Sequence, residues 1–353
     1  MSESKKIIAI DAFGGDRAPK AVFGGMNQFL FQNGEDRVFF RVFGDSNRLG
    51  PFLKRYPRVA RNAEVINAPG RIKSTDRVRD IIRNAQDTSM YAAIKDVREG
   101  NSCAIISAGN TGVLMALSKL ALKTIDGISR PAITSMLPSG GGDQRVVMLD
   151  LGANVHCNAE NLFDFALMGT VYAEQIGKMP RPKLGILNIG EEEQKGDEAL
   201  QRLNRVLTAH RGEMPFEYLG FVEGNDISGG EVQVVVTDGF TGNIVLKTVE
   251  GTAKLIKRVL MDTFKKSVMA IIASFLLVHV FKRLKNKIDP RSYAGAVFVG
   301  LNGFSIKTHG NSDALAFANA IKYAHDLAGS DFNAQIRLFA TKLAKVKEEL
   351  KQA

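Results

Sequence analysis

Two short turns hold the residues best suited to chemistry in this chain. Ile105 to Gly112 reads IISAGNTG, and Val234 to Asn243 reads VVVTDGFTGN. In each, a β-branched apolar run stops at glycines and a helical pattern follows at once, VLMALSKLALK after the first and IVLKTVEGTAKLIKRVL after the second. The first backbone N–H groups of such a helix have no partner within it, and the macrodipole leaves that end partly positive. A turn of this kind can hold a phosphate without any charged side chain. Its repetition in one chain points to an enzyme whose substrates carry phosphate.

Such turns need strands and helices to place them. Apolar runs punctuated by Gly and Asp recur at Ile7–Ile10, Val38–Phe43, Ala104–Ile106, Val146–Leu149, Leu184–Leu187 and Val232–Val236. Between most of them lie stretches with 3.6-residue apolar spacing, such as Asp76 to Val97 and Ala159 to Ile176. Alternating strands and helices predict a doubly wound α/β fold, a mostly parallel sheet covered on both faces in an α/β/α sandwich. Ligands in such sheets bind beyond the carboxyl ends of the strands. The Gly-rich turns fall at those ends: DAFGGD (Asp11 to Asp16), SAGNTG, DLGAN (Asp150 to Asn154), NIGEEEQKGDE (Asn188 to Glu198) and TDGFTGN. No linker divides the 353 residues, so residues 1–353 read as one catalytic domain with a helical hairpin inserted at 251–290.

That insertion carries much of the charge. From Gly251 to Pro290 nine Lys/Arg face two acids, which supplies +7 of the net +10. Its middle, Ser267 to Phe281, is fifteen residues without a formal charge, bracketed by Lys265–Lys266 and Lys282–Arg283. A spanning helix needs roughly twenty apolar residues. The segment therefore reads either as a buried or dimer-forming helix, or as a tip dipping into a membrane surface while its cations meet anionic lipids. The tip residues would be Ile271, Ile272, Phe275, Leu276 and Leu277. No recognition motif or stacking aromatics accompany the basic residues, which argues against nucleic acid. The start, MSESKK running into a strand, is unlike a signal peptide. Cys103 and Cys157 fit neither a disulfide framework nor a metal spacing, and read as reduced thiols of a cytoplasmic protein.

The ordered motifs DAFGGD, SAGNTG, DLGAN, NIGEEEQKGDE, TDGFTGN and DPRSYAGAVFVGLNGFSIKTHG resemble the bacterial phosphate acyltransferases of phospholipid synthesis, the PlsX type, from about Ile7 to about Ala328. The resemblance implies transfer of a fatty acyl group from acyl carrier protein to inorganic phosphate, giving an acyl phosphate that a membrane-bound glycerol-3-phosphate acyltransferase consumes. It also implies a phosphotransacetylase-like or isocitrate-dehydrogenase-like fold, a homodimer, and peripheral attachment to the cytoplasmic membrane. Phe13 stands where the family usually has Met, Ala85 and Gln86 where it has basic residues, His156 and Gln233 where Asp is common, and Ala294 where Asn is. If basic residues before Ser89 hold phosphate or the carrier, Arg79 and Arg83 take that role here.

Acyl transfer to phosphate needs no enzyme nucleophile, cofactor or metal, because the phosphate dianion attacks. It needs an anion cradle, donors for the tetrahedral oxyanion, and help for the departing thiolate. The cradle is assigned to the amides of Ser107, Gly109, Asn110, Thr111 and Gly112, with the hydroxyls of Ser107 and Thr111. Asp238, Gly239, Thr241, Gly242 and Asn243 are placed to finish the oxyanion site, although Asp238 equally suits fixing the turn through backbone N–H groups. Gly14 and Gly15 permit close backbone approach, with Asp11 and Asp16 orienting their loop. Lys195 is the phosphate ligand expected among Glu191 to Glu193. Lys307 and His309, in IKTHG, are the cationic and proton-transfer candidates, and a turn histidine also serves structure alone. Two other readings stay open: a phosphotransacetylase acting on acyl coenzyme A or a dehydrogenase of the same fold, and a non-catalytic membrane scaffold for lipid-synthesis enzymes. The basic apolar tip argues against the first, since soluble thioesters give no reason to sit on a membrane.

Overall fold

The computed structural model describes residues 5–73, 75–141, 144–265 and 295–352. The tip residues Ile271, Ile272, Phe275, Leu276 and Leu277 lie outside them. Eleven strands are described: β1 (Lys6–Asp11), β2 (Val38–Gly44), β3 (Ala63–Asn67), β4 (Ala104–Ser107), β5 (Ala132–Pro138), β6 (Arg145–Leu149), β7 (Lys183–Leu187), β8 (Glu217–Val222), β9 (Val234–Val236), β10 (Ala296–Val299) and β11 (Phe304–Lys307). They form one sheet in the order β3-β2-β1-β4-β11-β10-β5-β6-β9-β7-β8.

The sheet is two parallel groups running in opposite senses. Strands β3, β2, β1, β4 and β11 are mutually parallel, as are β6, β9, β7 and β8. Between them β10 is antiparallel to β11 and to β5, and β5 is antiparallel to β6. The register staggers the groups along β5: Val297 of β10 faces Thr134, whereas Met148 of β6 faces Ser135. Lys307, opposite Ala296, ends β11 one step beyond Val297. Asp150, just past β6, accepts a hydrogen bond from Ile133 N at 2.9 Å. The carboxyl ends of both groups thus arrive from opposite directions at the level of Ile133 to Ser135. A sheet of this kind offers its ligands that meeting line.

Helices cover both faces. They are α1 (Lys20–Asn33), α2 (Ser46–Arg55), α3 (Pro57–Arg61), α4 (Val78–Asn84), α5 (Ser89–Arg98), α6 (Thr111–Leu122), α7 (Ala159–Gln175), α8 (Glu198–Ala209), α9 (Gly239–Lys265), α10 (Ala314–Ala328), α11 (Phe332–Lys342) and α12 (Ala344–Gln352). Strand side chains alternate between two cores. Ile8, Ile10, Ala104, Ile106, Val147, Leu149, Val234 and Val236 join the core built with α1, α7 and α10. Ala9, Ile105, Val146, Met148 and Val235 join the core built with α5 and α6. Both sets are apolar because both faces are covered, which is why these strands read as continuous apolar runs.

The stretch from Asp76 to Val97, whose spacing suggests one helical segment, is two helices. Thr88 interrupts it: its backbone is extended and its hydroxyl accepts from Tyr91 N, so α5 begins afresh at Ser89. The break matters for the site, since it turns Ser89 toward Asp11.

Candidate active site

Alternation along three adjacent strands builds the first half of the site. Ile10 of β1 and Ile106 of β4 face the α1 side, as does Ile306 of β11. The next residue of each strand, Asp11, Ser107 and Lys307, therefore faces the α5/α6 side at its carboxyl end. All three are buried, and Lys307 and Ser107 are register partners on neighbouring strands. Asp11 accepts 2.6 Å hydrogen bonds from the hydroxyls of both Ser89 and Ser107. Burial pushes the Asp11 carboxyl up from its ordinary range, against the opposing pull of Ser107, Ser89 and the amides of Phe13 and Gly14. Asp11 thus fastens the loops behind the site.

Gly14 is required there by contact. A Cβ at this position would stand 2.6 Å from Asp11 Oδ2 and 2.8 Å from both Gly109 N and Ser107 Oγ. Further bonds tie the same loops together: Asp16 N donates to Gly310 O at 2.7 Å, Thr308 N to Ser107 O at 3.0 Å, and Arg71 Nη2 to Gly15 O at 3.1 Å.

The cradle residues divide into two classes. Gly109 N donates to Ser107 Oγ at 3.0 Å, and Val113 N to Asn110 Oδ1 at 3.1 Å, so these donors serve the turn itself. Thr111 N and Gly112 N, the first two amides of α6, meet no protein acceptor among the described residues. They are exposed, with the Thr111 hydroxyl beside them. The anion-binding capacity of the turn therefore resides in Thr111 and Gly112, at the positive end of a twelve-residue helix. The start of α4 adjoins them, with Val78 Cγ2 3.3 Å from a Cβ built on Gly112. Arg79 and Arg83 of α4 are exposed.

The second half is organised by Asp150. Its carboxylate accepts from Ile133 N, Gly152 N, Ala153 N and Asn154 N at 2.7–3.2 Å, and from Asn154 Nδ2 at 2.9 Å. This fixes the DLGAN turn. The start of α9 packs on it so closely that a Cβ at Gly242 would stand 1.9 Å from Asp150 O. In α9 three of the first four amides are already bonded. Gly239 N donates to Asn154 O at 2.7 Å, Gly242 N to Asp238 O at 3.0 Å, and Thr241 N and Oγ1 to the Asp238 carboxylate at 2.8 Å each. Asp238 caps the helix. What α9 presents instead is a face: Asn243, whose Cβ and Cγ lie 3.5 and 3.7 Å from a Cβ built on Gly152, and Lys247 one turn further.

An open space of about 230 Å³ joins the halves, lined by Thr111, Gly112, Met115, Ala116, Ile133, Gly152 and Ala153. Lys307 lies beside Ser107, on the neighbouring strand, where the cradle turn begins. Burial, then the charge of Lys247, holds its ammonium down to about 8, while Asp16 and Asp11 act in the opposite direction. Its Nζ donates to Thr308 O. His309 is exposed, and its imidazole is pushed below the usual histidine range by desolvation and then by Lys247. Neither cysteine competes as a nucleophile: burial pushes the Cys103 thiol up to about 11 and the Cys157 thiol to about 12.

Asp11, Gly14, Ser107, Gly109, Thr111, Gly112 and Lys307 are thus brought together, with Asn243 packed against Gly152 of the opposite wall. Lys195 is exposed on the loop after β7, with no hydrogen bond or ion pair to the cradle among the described residues. Sequence reasoning missed Ser89 and Lys247, and named the DLGAN turn without giving Asp150 its role. An Asp closing an apolar strand before Leu-Gly-Ala-Asn is a legible turn signal for Asp150. Lys247 could have been found by its place four residues after Asn243 on one helix face. Nothing local marks Ser89, since its partner lies far away in sequence.

A family model described as "Fatty acid synthesis protein" matches residues 6–335. A phosphate acyltransferase of Paramagnetospirillum magneticum is 42% identical over 330 residues, covering 94% of this chain and 92% of the relative. A phosphate acyltransferase of Rhodospirillum centenum is 43% identical over 353 residues, covering 100% and 97% respectively. Among solved structures, EutD phosphotransacetylase from Staphylococcus aureus superposes with a TM-score of 0.60 over 92% of this chain and 94% of that one, at 15% identity. At that identity the likeness is one of fold. The matched residues and near-full-length identities place the chain in the fatty acid synthesis protein family, as a member of the PlsX-type phosphate acyltransferases that its motifs resemble.

Proposed function

We propose that this protein transfers a fatty acyl group from the thioester of acyl carrier protein to inorganic phosphate. The observation that carries this reading is the pair of free amides, Thr111 N and Gly112 N, at the line where two opposed sets of carboxyl strand ends meet, with Lys307 beside Ser107 on the neighbouring strand. A phosphate dianion held there attacks the thioester carbonyl carbon through one oxygen. The carbonyl becomes an oxyanion, the C–S bond breaks, and the sulfur leaves as a thiolate that takes up one proton. The products are acyl phosphate and the carrier thiol. Helix α6 neutralises charge by its dipole, and Asn243, packed against the Gly152 turn, is the side-chain donor for the oxyanion. Lys307, with its ammonium near 8, is matched to give the thiolate its proton. Its ε-amino group recovers that proton from solvent.

Family membership and phosphate acyltransferase relatives support acyl transfer to phosphate. The carrier-bound donor and a role in phospholipid synthesis extend that reading, with the acyl phosphate passing to a membrane-bound glycerol-3-phosphate acyltransferase. In this scheme residues 1–353 form one catalytic domain and 251–290 an inserted hairpin. That hairpin pairs two subunits and rests its apolar tip on anionic lipids at the cytoplasmic membrane. Phosphate-dependent thiol release from acyl carrier protein thioesters is the direct assay. Fast release from coenzyme A thioesters with none from the carrier would favour a phosphotransacetylase, and inertness toward both would favour a scaffold.

A further inference from the structure

We propose that the open space between α6 and the Gly152–Ala153 turn receives the hydrocarbon chain of the acyl group, and that Met115 and Ala116 set the chain length it admits. The inference rests on the reading of acyl transfer to phosphate given above. Its ground is the arrangement of one helix face. Thr111 and Gly112 carry the free amides, and Met115 and Ala116 lie four residues on, one turn deeper on the same side. All four line the space, opposite Ile133, Gly152 and Ala153. Thr111 supplies the sole polar side chain of that lining, at the mouth.

A thioester carbonyl attacked by the phosphate at the amides must send its two substituents in different directions. The sulfur belongs to a carrier that approaches from solvent. The alkyl chain loses contact with water only by following apolar walls, and those begin at Met115 and Ala116. The space has a volume of about 230 Å³ and is open to solvent. Its lack of charged groups disfavours a second anion, and its lack of hydrogen-bonding side chains beyond Thr111 disfavours the amide-rich prosthetic arm of the carrier. Ala116 is the narrow residue of the helix wall, whereas Met115 is an unbranched side chain that repacks around chains of different length.

Ala116→Phe fills the space without touching the amides. Phosphate-dependent thiol release should then fall about tenfold or more in kcat/KM for long-chain thioesters, with a far smaller loss for medium-chain ones. Equal losses on both, or no loss on either, would overturn the assignment. A long-chain thioester bearing a photoreactive diazirine near its methyl end gives an independent reading on the unaltered protein. Labelling of the peptides containing Met115 and Ala116, Ile133 or Ala153 is expected, and labelling confined to other peptides would overturn the proposal. Failure of the unaltered protein to release thiol with phosphate would contradict acyl transfer itself, and the position of the label would still decide whether an alkyl chain lies in this space.

Discussion

At the scale of single residues, the site depends on a division between donors spent on architecture and donors left free. Ser107 gives its proton to Asp11 and its lone pair to Gly109 N, so the most conspicuous hydroxyl of the SAGNTG motif is structural. Lys307 is the residue with the sharpest chemical consequence. Its protonated form is the one that neutralises and protonates, and burial together with Lys247 brings its loss of the proton down to about pH 8. The kcat/KM of the acyl transfer is therefore expected to fall as pH rises through about 8. Lys247→Met removes a neighbouring positive charge and should move that fall to higher pH. An identical pH profile for the variant would contradict the coupling. Lys307→Met should lower kcat by about 10²–10⁴, the range general acid catalysis supplies. Gly242→Ala acts on stability instead, because its methyl meets the Asp150 carbonyl head-on. Denaturant unfolding should show a loss of about 1–3 kcal/mol or more.

At the scale of elements, what could be read in advance was set by where the apolar pattern is dense. β1, β2, β4, β6, β7 and β9 are β-branched or aromatic runs buried on both faces, and their sequences announce them. β3 has no fully buried residue and carries Glu64, and β5 ends at Pro138, so neither stands out. Helix α7 was legible from its spacing, and its Asn158 cap sharpens the start. The α4–α5 break was not, since it depends on Thr88 and on Ser89 reaching a strand 78 residues away. The turns themselves were visible, yet only geometry separates them: Asn154 and Asp238 take Gly239 N, Thr241 N and Gly242 N of α9, while α6 keeps its first two amides for a ligand. Helix α12 is fastened by a buried ion pair, Lys347 Nζ to Asp164, whose carboxylate also takes Ser129 N and Oγ. Lys347→Met strands that carboxylate and should cost about 3–5 kcal/mol, whereas the double change Lys347→Met with Asp164→Leu should recover much of the loss. Thermal unfolding of both variants would check this, and equal stability of the two would speak against the pairing.

At the scale of the whole molecule, the antiparallel junction through β5 and β10 is the decisive feature, and no local pattern encodes it. It brings carboxyl ends from two oppositely directed groups to one line, so that a helix start from one group faces a helix face from the other. Among the described residues no helix is long and apolar enough to cross a membrane. The proposed membrane contact rests on the sequence of the inserted hairpin. Replacing Ile271, Phe275 and Leu276 with Glu should release the protein from vesicles rich in anionic lipid while leaving turnover of soluble thioesters intact. Binding that survived the triple change would make the tip a purely structural element.

The central claim is that main-chain hydrogens at the start of α6 hold the reacting anion, and one substitution isolates it. Asn110 has φ −58° and ψ 123°, the extended geometry that proline tolerates before it, and Thr111 is the first helical residue, where proline fits without strain. Thr111→Pro therefore deletes one free N–H while keeping the helix, and Thr111→Ala deletes only the hydroxyl. With both variants folded as judged by thermal unfolding, phosphate-dependent thiol release should fall about 10²–10³-fold in Thr111→Pro and far less in Thr111→Ala. A proline variant as active as the unaltered protein would contradict the account.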